Sequence, residues 1–297
     1  MLIVGSVAYD GIETHMGSVP RVLGGSATYA SVAASFFCPV RLVGVVGDDF
    51  RGEDVDYLRS RGINLDGLER RTGKTFYWRG RYSDDFSRRE TLATELNVFA
   101  EFAPELPDVY RDSRDVLLAN IAPDLQLRVL AQAASAEFVV ADTMNLWIDT
   151  QRATLLDMLQ RVDVLLINEE EAPMLSGLSD LREAAGRLLT FGPSRAIIKL
   201  GANGAFSLTD DAFFELGAYP VAKVVDPTGA GDVFAGAMAG YLASQSDRSE
   251  DTVRRALLYS AAIASFAVED FGLDRLRAVD EQAVEERYAA LADSHAA

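Results

Sequence analysis

Cysteine is almost absent. Cys38 stands alone among 297 residues, so an internal disulfide is ruled out and a reducing compartment is the natural expectation. Its neighbours Phe36, Phe37 and Pro39 give it the setting of a small hydrophobe. Positive charge is scarce as well: 28 Lys and Arg stand against 45 Asp and Glu, a net charge of −17. The basic residues are scattered, and the lack of a basic patch argues against nucleic acid or an anionic membrane as a partner. Any anionic ligand must then be held by backbone dipoles and a few local cations. Near the N-terminus the apolar run Leu2 to Val7 is short, contains Gly5 and has no basic residue before it. It is too short to span a bilayer and lacks the n-region of a secretion signal, so a soluble cytoplasmic protein is expected. Repeats, low-complexity tracts and long linkers are also missing.

What is present is an α/β pattern. With 49% hydrophobic residues the chain can bury a large core as one domain, or as one domain with a small appendage. Leu2 to Val7 and Arg41 to Val46 read as buried strands, with helices at Tyr29–Phe37 and Glu53–Arg61. From Asn64 to about Phe102 the alternation breaks. Thr75 to Tyr82 is rich in aromatics, a polar turn follows at Ser83–Ser87, and Glu90 to Phe99 is mixed. We read 64–102 as a small β-sheet insertion, which covers a site, pairs with another subunit, or is a mere excursion. Alternation then resumes. Strands are expected near Asp115–Ile121, Phe138–Asp142, Val164–Ile167 and Ala196–Leu200, with helices near Asp124–Ala134, Thr150–Arg161, Glu169–Leu175 and Leu181–Phe191. Short strands at Gly204–Leu208, Ala212–Leu216 and Tyr219–Val225 precede helices at Gly231–Ala243, Asp251–Val268 and Glu281–Ala292. The pattern calls for a mostly parallel sheet covered on both faces.

The stretch Val225 to Ala235, V-D-P-T-G-A-G-D-V-F-A, organises the rest. Glycines at 229 and 231 let backbone N–H groups crowd toward one point, and the helix that opens there adds unpaired amides and a positive dipole end. Such a turn suits a phosphoryl group. Asp232 at the helix entrance is either an N-terminal cap or a general base for a substrate hydroxyl. Three other places carry polar groups at strand ends. Asp10 and the pair Gly24-Gly25 can receive vicinal hydroxyls, although glycine pairs often only turn the chain. In Asn168-Glu169-Glu170-Glu171, Asn168 is a helix cap, and the carboxylates can also help hold Mg²⁺ near phosphates. Lys199 closes an apolar strand where it could meet a phosphate, and Gly201 and Gly204 make a tight turn beside it.

Taken together, these residues resemble the ribokinase-like (PfkB) family of carbohydrate and nucleoside kinases. Asp226 to Ala239 fits that family's C-terminal signature throughout, Asn168 and Glu171 fit its N-x-x-E motif, and Gly24-Gly25 fits its glycine pair. The resemblance implies a three-layer α/β/α fold with a β lid, and transfer of the γ-phosphoryl group of ATP to a hydroxyl. It assigns Asp232 as base, with Gly229, Ala230 and Gly231 supplying anion-hole amides. Asn168 and Glu171 would organise Mg²⁺ and phosphates, with Glu171 the metal residue. Lys199, Gly201, Gly204 and Thr228 would lie by the nucleotide, and Asp10, Gly24, Gly25 and Tyr29 by the acceptor. Asp226 and Thr228 match positions that hold a monovalent cation in some members, and a homodimer through the lid is expected.

The acceptor side departs from the pattern. Many sugar kinases of this family carry asparagine four residues after the glycine pair, where this chain has Tyr29. The aromatic insertion can stack on a nucleobase or serve as lid core. A sugar-like acceptor is therefore the first expectation and a nucleoside the second. A catalytically silent binder would show a damaged anion hole or a missing base, and neither is damaged here. A dinucleotide oxidoreductase would need G-x-G-x-x-G after the first strand, which Gly5 to Asp10 does not supply.

Overall fold

Neighbouring residues of the short apolar strands enter different cores. In the computed structural model, which describes residues 1–296, Ile3, Leu117, Leu166 and Ile197 join one buried cluster. Leu2, Val4, Leu118, Leu165, Ile167 and Ile198 join another. A strand covered on both faces has no reason to alternate polar with apolar residues, so Leu2-Ile3-Val4 and Val164 to Ile167 are unbroken apolar runs. Each such side chain, fully buried, stabilises the fold by about 1.5–3 kcal/mol.

The chain begins with β1 (Leu2–Val4), β2 (Ala8–Thr14), β3 (Gly17–Gly24), α1 (Ser26–Ala34), β4 (Val40–Val46) and α2 (Gly52–Ser60). It continues through β5 (Ile63–Arg70), β6 (Phe76–Tyr82), β7 (Arg89–Glu95), β8 (Asp115–Leu118), α3 (Pro123–Gln132), β9 (Phe138–Asp142) and α4 (Asn145–Thr150). Next come α5 (Arg152–Leu159), β10 (Val164–Asn168), α6 (Glu171–Ser176), α7 (Leu181–Leu189), β11 (Arg195–Lys199), β12 (Ala205–Leu208) and β13 (Phe213–Leu216). The helices α8 (Ala230–Ser244), α9 (Glu250–Ala267), α10 (Asp274–Arg277) and α11 (Glu281–Ala296) end it.

Nine strands form one sheet in the order β13-β12-β11-β10-β9-β8-β1-β4-β5, parallel from β11 to β5 with β12 and β13 antiparallel at one edge. The core on one face takes Tyr29 from α1, Met238 from α8 and Ile263 from α9. On the other it takes Val129 from α3, Leu155 from α5 and Leu188 from α7. This is the expected three-layer α/β/α arrangement. Every residue of α1 is buried, which its small side chains allow. Gly236 and Gly240 of α8 lie against it so closely that an added Cβ would come within 2.1 Å of the Ala30 carbonyl oxygen and 2.6 Å of Ala34 Cα.

The second sheet has four strands in the order β3-β2-β6-β7, and here the expected boundaries need correction. Half of it comes from residues 8–24, not from 64–102, and Ile63–Arg70 pairs in parallel with β4 as the edge of the main sheet. The polar alternation of I-N-L-D-G-L-E-R is that of an edge strand with one face exposed, which resembles the start of an insertion. Residues 8–24 hid their hairpin because the ladder carries an irregularity between Asp10 and Ile12 and Pro20 breaks the strand signal. Tyr219–Val225 forms no strand. Pro220 has no N–H to give a ladder, and the amides of Val225 and Asp226 instead meet the Val268 carbonyl at 2.7 and 3.3 Å.

Candidate active site

The parallel strands bring Asp142, Asn168 and Lys199 to the carboxyl edge of the main sheet, as the last residues of β9, β10 and β11. That edge is where open α/β sheets bind ligands. The 226–232 loop faces it. Asp226 is fully buried, and its two oxygens accept from the amides of Thr228 at 2.8 Å and Gly272 at 3.0 Å. One carboxylate thus shapes the loop and ties it to the turn after α9. Gly229 then adopts φ +77°, and a Cβ there would also strike the Tyr29 ring at 2.6 Å. The Ala230 amide folds back to Pro227 at 3.3 Å, while those of Gly231 and Asp232 have no acceptor outside α8 among the described residues. Those two donors at a helix N-terminus leave a place for an anion.

Asp232 does not act as the cap. The N-cap of α8 is Gly229, and no side chain bonds to it. Burial pushes the Asp232 carboxyl up to about 7; Asp142 and Glu171 push the same way, against the pull of Lys199 and Arg89. A carboxylate tuned close to neutrality beside free amides can take a proton from a hydroxyl held next to an anion.

Around it stand one ion pair and one capping box. Lys199 Nζ lies 2.6 Å from Asp142 Oδ2, both side chains being largely buried. Burial disfavours the ammonium, but Asp142 and Glu171 outweigh that and keep its pKa above the ordinary value. The smallness of Gly231 admits the lysine: a Cβ there would sit 3.3 Å from Nζ. Asn168 Oδ1 accepts from the amides of Glu170 and Glu171 at 2.9 and 2.8 Å, and Glu171 Oε2 accepts from the Asn168 amide at 3.1 Å. The box is reciprocal. Burial raises the Glu171 carboxyl to about 7, with Lys199 pulling down and Asp142 pushing up. Among the described residues no three His, Cys, Asp or Glu side chains converge closely enough to cage a metal. Gly201 opens a single 3₁₀ turn, and Gly204 returns the chain into β12, its carbonyl accepting from the Leu200 amide at 2.8 Å.

Asp10 comes in from the small sheet. Gly24 gives it room, since a Cβ at that position would lie 2.0 Å from Asp10 Oδ2. Gly25, at φ +96°, starts α1. One turn later the Tyr29 hydroxyl donates to Asp10 Oδ2 at 3.4 Å. Burial first, then the charges of Asp226 and Asp232, raise the Asp10 carboxyl to about 7. Tyr29 therefore spans the site, its hydroxyl on Asp10 and its ring on Gly229. Across from it the Tyr82 hydroxyl of β6 lies 3.0 Å from Thr228 Oγ1.

A family model described as pfkB family carbohydrate kinase matches residues 3–277. The chain belongs to the pfkB family. Curated pfkB-type relatives include the cytidine kinase of Thermococcus kodakarensis, 30% identical over 264 residues that cover 86% of this chain and 93% of that protein. The 2-dehydro-3-deoxygluconokinase of Thermoproteus tenax is 28% identical over 264 residues, covering 84% and 79%. Among solved structures, Arabidopsis thaliana ribokinase complexed with ribose and ATP superimposes with a TM-score of 0.77 at 22% identity, over 97% of either chain. That likeness establishes the fold.

Within this pfkB frame the structure brings Asp10, Gly24, Tyr29, Asn168, Glu171, Lys199 and the 228–232 loop into one region. Three further members went unnoticed in the sequence. Asp142 ends an apolar strand as Asn168 does, and that position was its one available signal. Tyr82 was noted only as one aromatic among several. Arg89 lies in a polar run, and only strand pairing brings it to the site.

Proposed function

We propose that this pfkB-family chain is a phosphotransferase that moves the γ-phosphoryl group of ATP to a hydroxyl of a sugar or sugar-like acceptor. The observation that carries the reading is Asp232: its carboxyl is tuned to about 7 and adjoins two helix-terminal amides without acceptors outside the helix. Asp10, backed by Gly24-Gly25 and Tyr29, orients the acceptor through its vicinal hydroxyls. Asp232 accepts the hydroxyl proton as the oxygen attacks in line, and the amides of Gly231 and Asp232 take up charge on the transferring group. Gly229 and Ala230 shape that hole. Asn168, Thr228, Lys199 and Gly201 border the nucleotide phosphates, and Gly204 fixes their turn. Mg²⁺, held through Glu171 and water, supplies neutralisation of phosphate charge. A monovalent cation at Asp226 and Thr228 belongs to the same reading: each Asp226 oxygen accepts one amide and keeps a further lone pair.

A nucleoside acceptor is the second reading, favoured by the near full-length match to a cytidine kinase and by the aromatic small sheet, which we take to act as a lid. The free edges of β3 and β7 suit a homodimer through that lid, and the lone cysteine suits a reducing cytoplasm. No helix of the described residues is long and apolar enough to cross a membrane. Screening sugars, aldonates and nucleosides with ATP and Mg²⁺ for ADP release tests the reading. Turnover of at least one acceptor is expected, and no turnover with any of them would favour a silent binder.

A further inference from the structure

Strands β6 and β7 carry three arginines, and they differ in what they meet. Arg79 and Arg81 both pair with Glu13 of β2, Arg81 at 2.8 Å. Arg89 forms no ion pair with a carboxylate among the described residues, and its guanidinium lies 5.5 Å from the Trp78 ring centre. It sits directly opposite Tyr82 in the β6–β7 ladder, so the two side chains leave the sheet on the same face. Tyr82 in turn reaches Thr228 Oγ1 at 3.0 Å, one residue before Gly229. Strand register therefore places Arg89 beside Tyr82, whose hydroxyl meets the anion-binding loop. The other cation of the site, Lys199, is already bonded to Asp142.

We infer that Arg89 is a catalytic residue carried by the lid, whose guanidinium donates to the oxygens of the transferring phosphoryl group when the small sheet closes on the site. This rests on the phosphotransferase reading and adds to it. Its charge already reaches the site, since it pulls the Asp232 carboxyl down against the larger upward push of burial. The chemistry needs such a group. A protein of net charge −17 receives a polyphosphate beside Asp10, Asp142, Glu171 and Asp232, and as the bond to the leaving oxygen breaks its electron pair passes to that oxygen while the three oxygens of the transferring group still carry negative charge that must be held. An unpaired guanidinium presents two parallel N–H donors to such oxygens, where an ammonium presents a point charge. Its place on an exposed strand lets it arrive with closure, when water leaves.

The test compares Arg89→Met and Arg89→Lys with the parent enzyme. Calorimetry would measure affinity for MgADP alone and for MgADP with aluminium fluoride in the presence of ribose or cytidine, whichever the parent turns over. Arg89→Met should weaken the aluminium fluoride complex on the order of tenfold to a hundredfold and leave MgADP alone within about threefold. Its kcat should fall at least as much, for neutral and acidic acceptors alike, with an unchanged Tm. Arg89→Lys should recover part of both losses. Equal weakening of the two complexes, a loss confined to the KM of an acidic acceptor, or no change in either would each overturn the role of Arg89. Parent-enzyme ADP release tests the underlying reading separately, so parent turnover beside an unimpaired Arg89→Met would remove only this inference.

Discussion

The nine-stranded and four-stranded sheets differ in how they are held. In β10 four of five residues are buried, whereas no residue of β7 is. The main sheet has helices on both faces. In the small sheet β2 is anchored in the main core through Tyr9, while β6 and β7 rest on ladder hydrogen bonds, surface ion pairs at Glu13, and contacts such as Tyr82 with Thr228. Exposed ion pairs contribute little, being screened by solvent. The division matches the chemistry proposed for each part. Asp232, Lys199, Asn168 and Glu171 stand on packed elements, as groups that must be held within a fraction of an ångström require. Asp10 stands on β2, whose first five residues are buried and whose Tyr9 joins the main core, whereas Tyr82 and Arg89 stand on the thinner outer strands, which can move and so can admit and enclose an acceptor.

Substitutions can break or sharpen this contrast. The largest effect is expected at Asp232. Asp232→Asn should lower kcat about a hundredfold or more while acceptor KM changes little; near-normal turnover would remove it as the base. Next is the α1–α8 seam. Gly236→Val drives a side chain into the Ala30 carbonyl and should destabilise the fold by about 1–3 kcal/mol or more, visible as a clear drop in Tm. An unchanged Tm would mean the packed layer is looser than described.

Acidity gives a third test. Asp232 works ionised and its carboxyl stands at about 7, so kcat/KM should rise about tenfold per pH unit below that value and then level. A profile flat from pH 5 to 8 would contradict the assignment. Stability should run the other way. Asp10, Glu171 and Asp232 are all raised to about 7 in the folded protein. The folded state therefore binds more protons than the unfolded one between about 4 and 7, and stability from these groups is lost as pH rises through that window. Ligand-free Asp232→Asn should accordingly melt higher than the parent at pH 8, and a lower melting temperature would refute the view that the buried Asp232 charge destabilises the fold.

The acceptor side, Tyr29 of the packed α1 and Tyr82 of the small sheet, should respond most mildly. Tyr29→Asn opens space between Asp10 and Gly229 and should shift the ratio of kcat/KM among acceptors by about tenfold with little change in ATP KM. An unaltered acceptor ranking would show that Tyr29 only packs. Tyr82→Phe removes a single hydrogen bond worth about 0.5–1.5 kcal/mol, so a few-fold rise in KM at unchanged Tm is the expectation. A Tm loss as large as that of Gly236→Val would erase the distinction between the two sheets.

How much of this could be read in advance depends on how local each signal is. The loop 226–232 and the box Asn168–Glu171 are each made by consecutive residues, and their geometry follows from glycine, a helix start and a strand end. Strand runs such as Val164 to Ile167 were equally plain, because burial on both faces leaves an unbroken apolar string. The small sheet was misplaced because its four strands come from 8–24 and 76–95, and a ladder between distant segments leaves no periodic mark in either. Asp142 was overlooked for a related reason: its partner Lys199 lies 57 residues away.

From the sequence alone came the layered α/β class, the anion-binding turn and the acidic residue at its mouth, each through contacts within a few residues. Tertiary structure decided which charges face one another. It paired Lys199 with Asp142, set the Tyr29 ring on Gly229 and brought Tyr82 to Thr228 with Arg89 beside it. Those choices depend on strand register and on burial shared by segments far apart. Burial is also what carries the Asp232 carboxyl to about 7, from an ordinary surface acid to one suited to taking a proton.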